Sequence, residues 1–100
     1  MSKIKIVIAG CTGRMGKALL EGVLQSDDLL LHAALEHAGS AALGKDAGES
    51  VGKACSVKIG ADVAAALKGA DVLIDFTRPE GTLHHLEICQ QLGVNIVIGT

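Results

Sequence analysis

Residues 10–16 read Gly-Cys-Thr-Gly-Arg-Met-Gly and follow directly on a β-branched run, KIKIVIA, at residues 3–9. Glycines at this spacing let the chain turn tightly and bring its backbone close to an anion. A helix that starts in the turn aims its unpaired N–H groups and the positive end of its dipole at the same point. The chemistry this suits is the binding of a pyrophosphate. The pattern is G-x-x-G-x-x-G, with Thr12 where the commoner G-x-G-x-x-G fingerprint has its middle glycine. A glycine turn that only packs a helix onto a strand has the same composition. The position between an apolar strand and an amphipathic helix favours the anion cradle, made by Gly10, Cys11, Thr12, Gly13, Arg14, Met15 and Gly16.

Twenty residues after Gly16 comes Glu36, at the end of a second apolar run, LLLHAALE. Dinucleotide folds place an acid there to accept hydrogen bonds from the adenosine ribose hydroxyls. The alternative is a solvated charge at a strand end. A carboxylate repels a 2′-phosphate and so favours NADH, whereas the adjacent His37, when protonated, favours NADPH. The implied cofactor is therefore NADH or NADPH. Phe76 and Arg78 follow a third strand-like run, DVLIDF, in a loop expected to lie along the cofactor. There Arg78 is either an anion partner or a solvated charge beside the next helix. Other polar groups are assigned no chemistry. His84 and His85 are neighbours on a helix, about 100° apart, with no Cys, His or carboxylate at metal spacing; they read as surface residues, and no metal site is expected. Cys11 reads as a small residue that fits the turn, and Asp75 as an acceptor of backbone N–H groups at a strand end. No catalytic residue is identified.

The elements that must position these groups follow from hydrophobic period and from turn residues. Strands are expected at 3–9, 29–36, 56–59, 71–76 and 94–98. A helix after the glycine turn would bury Met15, Ala18, Leu19, Gly22 and Val23. Asp62 can cap a short helix at 63–68 that Gly69 ends, and Thr77-Arg78-Pro79-Glu80 forms a capping box for a helix reaching Leu92. Residues 37–53 form a glycine-rich loop, of a length usually mobile or functional. Strands alternating with helices predict an α/β, Rossmann-type doubly wound parallel sheet, order 3-2-1-4-5. With 100 residues, the chain is long enough for a single small domain, expected to be a dinucleotide-binding one.

Composition narrows the partners. Phe76 is the sole aromatic ring, net charge is −2 and there is no basic stripe, so nucleic acid is not an expected partner. No run is long enough for a membrane span. Three cysteines without a C-x-x-C spacing read as reduced thiols in the cytoplasm.

Three segments, GCTGRMG, ALEH and DFTRPEGT, together with the closing VIGT, resemble the 4-hydroxy-tetrahydrodipicolinate reductase family, also called dihydrodipicolinate reductase. The resemblance covers this whole chain and less than half of a typical member. It implies an NAD(P)H-dependent oxidoreductase of lysine and diaminopimelate synthesis, tetrameric, acting on a small cyclic dicarboxylate. Gly10 to Met15 would hold the pyrophosphate and Glu36 the ribose, while Gly99 and Thr100 would approach the nicotinamide. His37 stands where many members carry arginine, a departure that weighs against strong NADPH use. The family's proton donor and substrate ligands belong to a second domain, so the segment alone is expected to be inactive. The alternatives are a nucleotide-binding module without catalysis and the cofactor domain of another dehydrogenase, such as a semialdehyde dehydrogenase. Residues 94–98, apolar on both faces, are expected to leave an exposed hydrophobic edge, so that the isolated segment is marginally stable or associates.

Overall fold

The computed structural model describes residues 3–77 and 79–99. Its elements are β1 (Ile4–Ala9), α1 (Arg14–Gln25), β2 (Leu29–Leu35), a 3₁₀ turn (Glu49–Val51), β3 (Ile59–Gly60), α2 (Val63–Leu67), β4 (Val72–Asp75), α3 (Pro79–Leu92) and β5 (Asn95–Ile98). All strand pairs are parallel, in the order β3-β2-β1-β4-β5. This is the doubly wound arrangement expected from the sequence.

β1 shows why the sheet needs helices on both faces. Ile6 and Ile8 pack with Leu20 and Val23 of α1, whereas Val7 and Ala9 pack with Leu67 of α2 and Cys89 of α3. The period-two alternation of a strand thus sends apolar side chains into two separate cores.

α1 is rotated from its expected face. Gly16, Leu20 and Val23 are the buried positions, and Met15 is 57% exposed. The cause lies at the helix start: a Cβ on Gly16 would sit 2.2 Å from the Gly10 carbonyl oxygen and 2.8 Å from Cys11 Cα. That backbone contact points position 16 inward. Positions 19, 20, 23 and 24 follow it, while Met15, Ala18 and Gly22 turn outward.

The connection from β2 to β3 is a series of turns held by Asp46. Its Oδ1 accepts the N–H groups of Gly48 (2.8 Å) and Cys55 (3.0 Å), and its Oδ2 accepts that of Ser56 (2.8 Å). The N–H donors of Cys55, Gly48 and Ser56 hold its carboxyl far below the usual carboxylate range, against a smaller opposing effect of burial. Ser56 adopts φ +65°, which breaks extended backbone; β3 accordingly starts at Ile59 and not at residue 56.

The remaining elements follow expectation closely. Asp62 caps α2 by accepting the Ala65 N–H (3.1 Å). The Glu80 half of the expected capping box lies outside the described side chains. On β5, Val97 and Ile98 are 54% and 50% exposed. No helix among the described residues is long and apolar enough to cross a membrane.

Candidate functional site

A cleft of about 730 Å³ opens at the C-terminal ends of β1, β2 and β4. Chain connections leave the sheet in opposite directions at this point, which is where ligands of doubly wound folds sit. Gly10, Thr12, Gly13, Glu36, His37, Phe76, Thr77, His84 and His85 are among its lining residues.

The first wall is largely backbone. Gly10, at φ +77°, turns the chain out of β1, and its N–H is tied to the Leu35 carbonyl (3.0 Å). α1 then begins without a side-chain cap at Gly13. Among the described residues, no acceptor in the chain meets the N–H groups of Arg14, Met15 and Gly16. An uncapped helix start beside a glycine turn into which backbone is tightly folded fits a pyrophosphate. The Cys11 side chain is buried in the core beneath, and burial, with a contribution from Glu36, pushes its thiol up to about 11. Cys11 therefore serves the turn by being small and offers no reactive thiolate. Arg14 and Met15 are exposed on the first turn of α1.

Glu36 lies just beyond β2 at the mouth of the cleft. Its Oε2 accepts both the N–H (3.0 Å) and the hydroxyl of Thr12, and its Oε1 accepts the His37 N–H (3.3 Å). Burial alone would raise its pKa. The bonds from Thr12 and His37 outweigh that and lower it, so Glu36 is a carboxylate at neutral pH. Thr12, which had looked like a substitute for a glycine, is the residue that orients the acid. His37 is exposed beside it.

The second wall is made of side chains. Asp75, fully buried at the end of β4, accepts the Thr77 N–H (2.7 Å) and hydroxyl on Oδ1, and meets His85 Nδ1 on Oδ2 at 2.7 Å. Burial would raise its pKa, but the hydrogen bonds from Thr77 and His85 lower it. Asp75 is thus ionised and can only accept, so His85 Nδ1 must carry the proton. This corrects the reading of His85 as a surface residue: it is 8% exposed. It lies on the same face of α3 as Cys89, four residues on, and that face packs against β4. The i, i+4 pairing of His85 with a buried Cys89, opposite an aspartate at a strand end, was the signal available in the sequence. His84 is exposed, as expected.

Phe76 packs its ring over Gly99, where a Cβ would fall 2.2 Å from the ring. Arg78 and Thr100 lie outside the described residues. The structure thus brings Gly10, Thr12, Gly13, Glu36, His37 and Phe76 to one cleft, with Gly99 beside Phe76.

A family model described as "Dihydrodipicolinate reductase, N-terminus" matches residues 4–100. The chain belongs to the dihydrodipicolinate reductase family. Over its whole length it is 56% identical to the 4-hydroxy-tetrahydrodipicolinate reductase of Dechloromonas aromatica and 52% identical to that of Nitrosospira multiformis. It spans 37% of the length of each. Among solved structures, the dipicolinate-bound dihydrodipicolinate reductase of Paenisporosarcina sp. TG-14 superposes with a TM-score of 0.74 at 27% identity, covering 99% of this chain and 38% of that one. Aspartate semialdehyde dehydrogenase with NADP from Candida albicans shares the fold alone: its TM-score is 0.71 at 15% identity, over 99% of this chain and 30% of that one. Of the segments that suggested the dihydrodipicolinate reductase family, GCTGRMG, the glutamate of ALEH and the start of DFTRPEGT all meet at the cleft.

Proposed function

We propose that this chain supplies the cofactor-binding domain of a 4-hydroxy-tetrahydrodipicolinate reductase, which uses NADH or NADPH to reduce the dihydrodipicolinate precursor in lysine and diaminopimelate synthesis. The observation that carries the reading is the cleft between β1 and β4, where an uncapped helix start and an ionised Glu36 face one space, in a chain of this family. When bound, the nicotinamide supplies the hydride. The chain's own residues bind and orient it: the turn at Gly10–Gly16 holds the pyrophosphate, Glu36 accepts from the adenosine ribose, and Phe76 with Gly99 borders the nicotinamide half. Ionised Glu36 repels a 2′-phosphate, so NADH binds more tightly than NADPH at neutral pH. The substrate and its proton donor belong to a second domain, in a cytoplasmic tetramer, and the 100-residue chain binds cofactor without turnover.

Calorimetric titration with NADH and then NADPH tests the cofactor site. Saturable binding that is tighter for NADH and lost in Glu36→Ala supports it; no binding by a folded chain overturns it. Dipicolinate-dependent oxidation of NADH by the full-length protein tests the activity.

A further inference from the structure

The Asp75–His85 pair is buried at the cleft wall, and nothing in the proposed function uses it. Such a pair gives little net stability compared with apolar side chains of the same volume. What it does accomplish is geometric. Asp75 is fully buried and ionised, and it fixes Nδ1 of His85 at 2.7 Å. Nε2 is then the ring nitrogen left to meet a ligand. That nitrogen has no partner among the described residues, yet it is not a buried unsatisfied atom. His85 is among the residues lining the cleft, and Nε2 is the ring nitrogen that Asp75 leaves available there. The neighbouring His84 ring, 6.1 Å away, is exposed and has no such anchor among the described residues.

We infer that His85 is a positioning residue for the nicotinamide half of the dinucleotide: anchored by Asp75, it holds through Nε2 a hydrogen bond with a hydroxyl of that half's ribose. This rests on the cofactor reading above. The cleft runs from Glu36, beyond β2, to His85, over β4. With the pyrophosphate at the start of α1 and one ribose at Glu36, the second ribose falls on the β4 side. An imidazole already locked by Asp75 loses little further freedom when it takes up the hydroxyl. Thr77, tied to the same carboxylate by two hydrogen bonds, keeps the adjoining loop in register with it.

Two substitutions separate anchoring from ligand contact. His85→Asn puts an amide at the Nδ1 position and keeps a donor for Asp75, but removes Nε2. His85→Gln puts an amide near Nε2 and gives up the bond to Asp75. Affinities for NADH and for ADP, which lacks the nicotinamide half, are measured on the full chain together with thermal midpoints. The expected result for His85→Asn is an NADH Kd raised about tenfold, as for one lost hydrogen bond. Its ADP Kd and melting should stay near wild type. His85→Gln is expected to melt earlier yet to hold NADH more tightly than His85→Asn. If His85→Asn binds NADH as wild type does, or loses ADP and NADH equally, the inference is overturned. Should His85→Gln not fold, the NADH-to-ADP ratio of His85→Asn decides alone. Failure of the wild-type chain to bind either nucleotide would instead bring down the cofactor reading itself, and the inference with it.

Discussion

On the β1 side the cleft is walled by backbone: a glycine turn, the open start of α1, and one acid steered by Thr12. On the β4 side it is walled by side chains, with Asp75 holding Thr77 and His85 in a fixed cluster. The two walls face the same space but depend on different physics. A backbone wall is set by sterics, which at Gly16 leave no room for a Cβ. A side-chain wall is set by a buried charge, which tolerates loss of its partners poorly and responds to protons.

Gly16→Val should break the first wall most completely. Its Cβ would fall 2.2 Å from the Gly10 carbonyl, and backbone has no rotamer with which to yield. Destabilisation of about 4 kcal/mol is expected in a urea melt, beyond the usual cost of overpacking.

On the second wall, Asp75→Ala strands the His85 and Thr77 donors and should cost about 3 kcal/mol. The folded-state pKa of Asp75 lies below its unfolded value. Its stabilisation is therefore fully present above the unfolded value of about 4 and is lost as pH falls through the lower folded value. Wild-type stability should drop in that acid window, and Asp75→Ala should show a shallower drop. Equal acid slopes in the two proteins would show that the charge on Asp75 is not what holds the wall.

Thr12→Val sharpens the contrast. It removes one hydroxyl from Glu36 but leaves the Thr12 N–H in place. A loss of about 1 kcal/mol is expected, with the Glu36 pKa moving up toward its ordinary value by carboxyl NMR. Val97→Thr, on the 54%-exposed outer position of β5, belongs to neither wall and should stay within about 0.5 kcal/mol of wild type. A larger change would mean that the β5 face bears on the cleft.

The same contrast decided what could be read in the sequence. The backbone wall is local: Gly10, Gly13 and Gly16 lie within seven residues between a strand and a helix, and Glu36 ends the next strand, so pattern and spacing suffice. Strand order followed from the alternation of strands with helices and from the handedness of crossovers. The side-chain wall is not local. Asp75 and His85 meet only because α3 folds back on β4, and period alone could not say which of two adjacent histidines faces the sheet. The rotation of α1 escaped for a related reason. Its inward face is chosen by a close approach at Gly16, not by the most apolar stripe, and Leu20 went unread as a core residue. Asp46 was hidden likewise, since its partners lie up to ten residues downstream.

The three cysteines sit one in each of the regions that matter here: Cys11 under the glycine turn, Cys89 on α3 behind Asp75, and Cys55 donating its S–H to Asp46 (3.3 Å) in the loop before β3. Alkylating reagents attack only the exposed thiolate. Cys11 and Cys89 are each at most 2% exposed, so they can be modified only when their region transiently opens, while half-buried Cys55 should react first. The chain thus carries its own set of chemical clocks, each timing the breathing of a different part of the cleft and its surroundings without any engineered label.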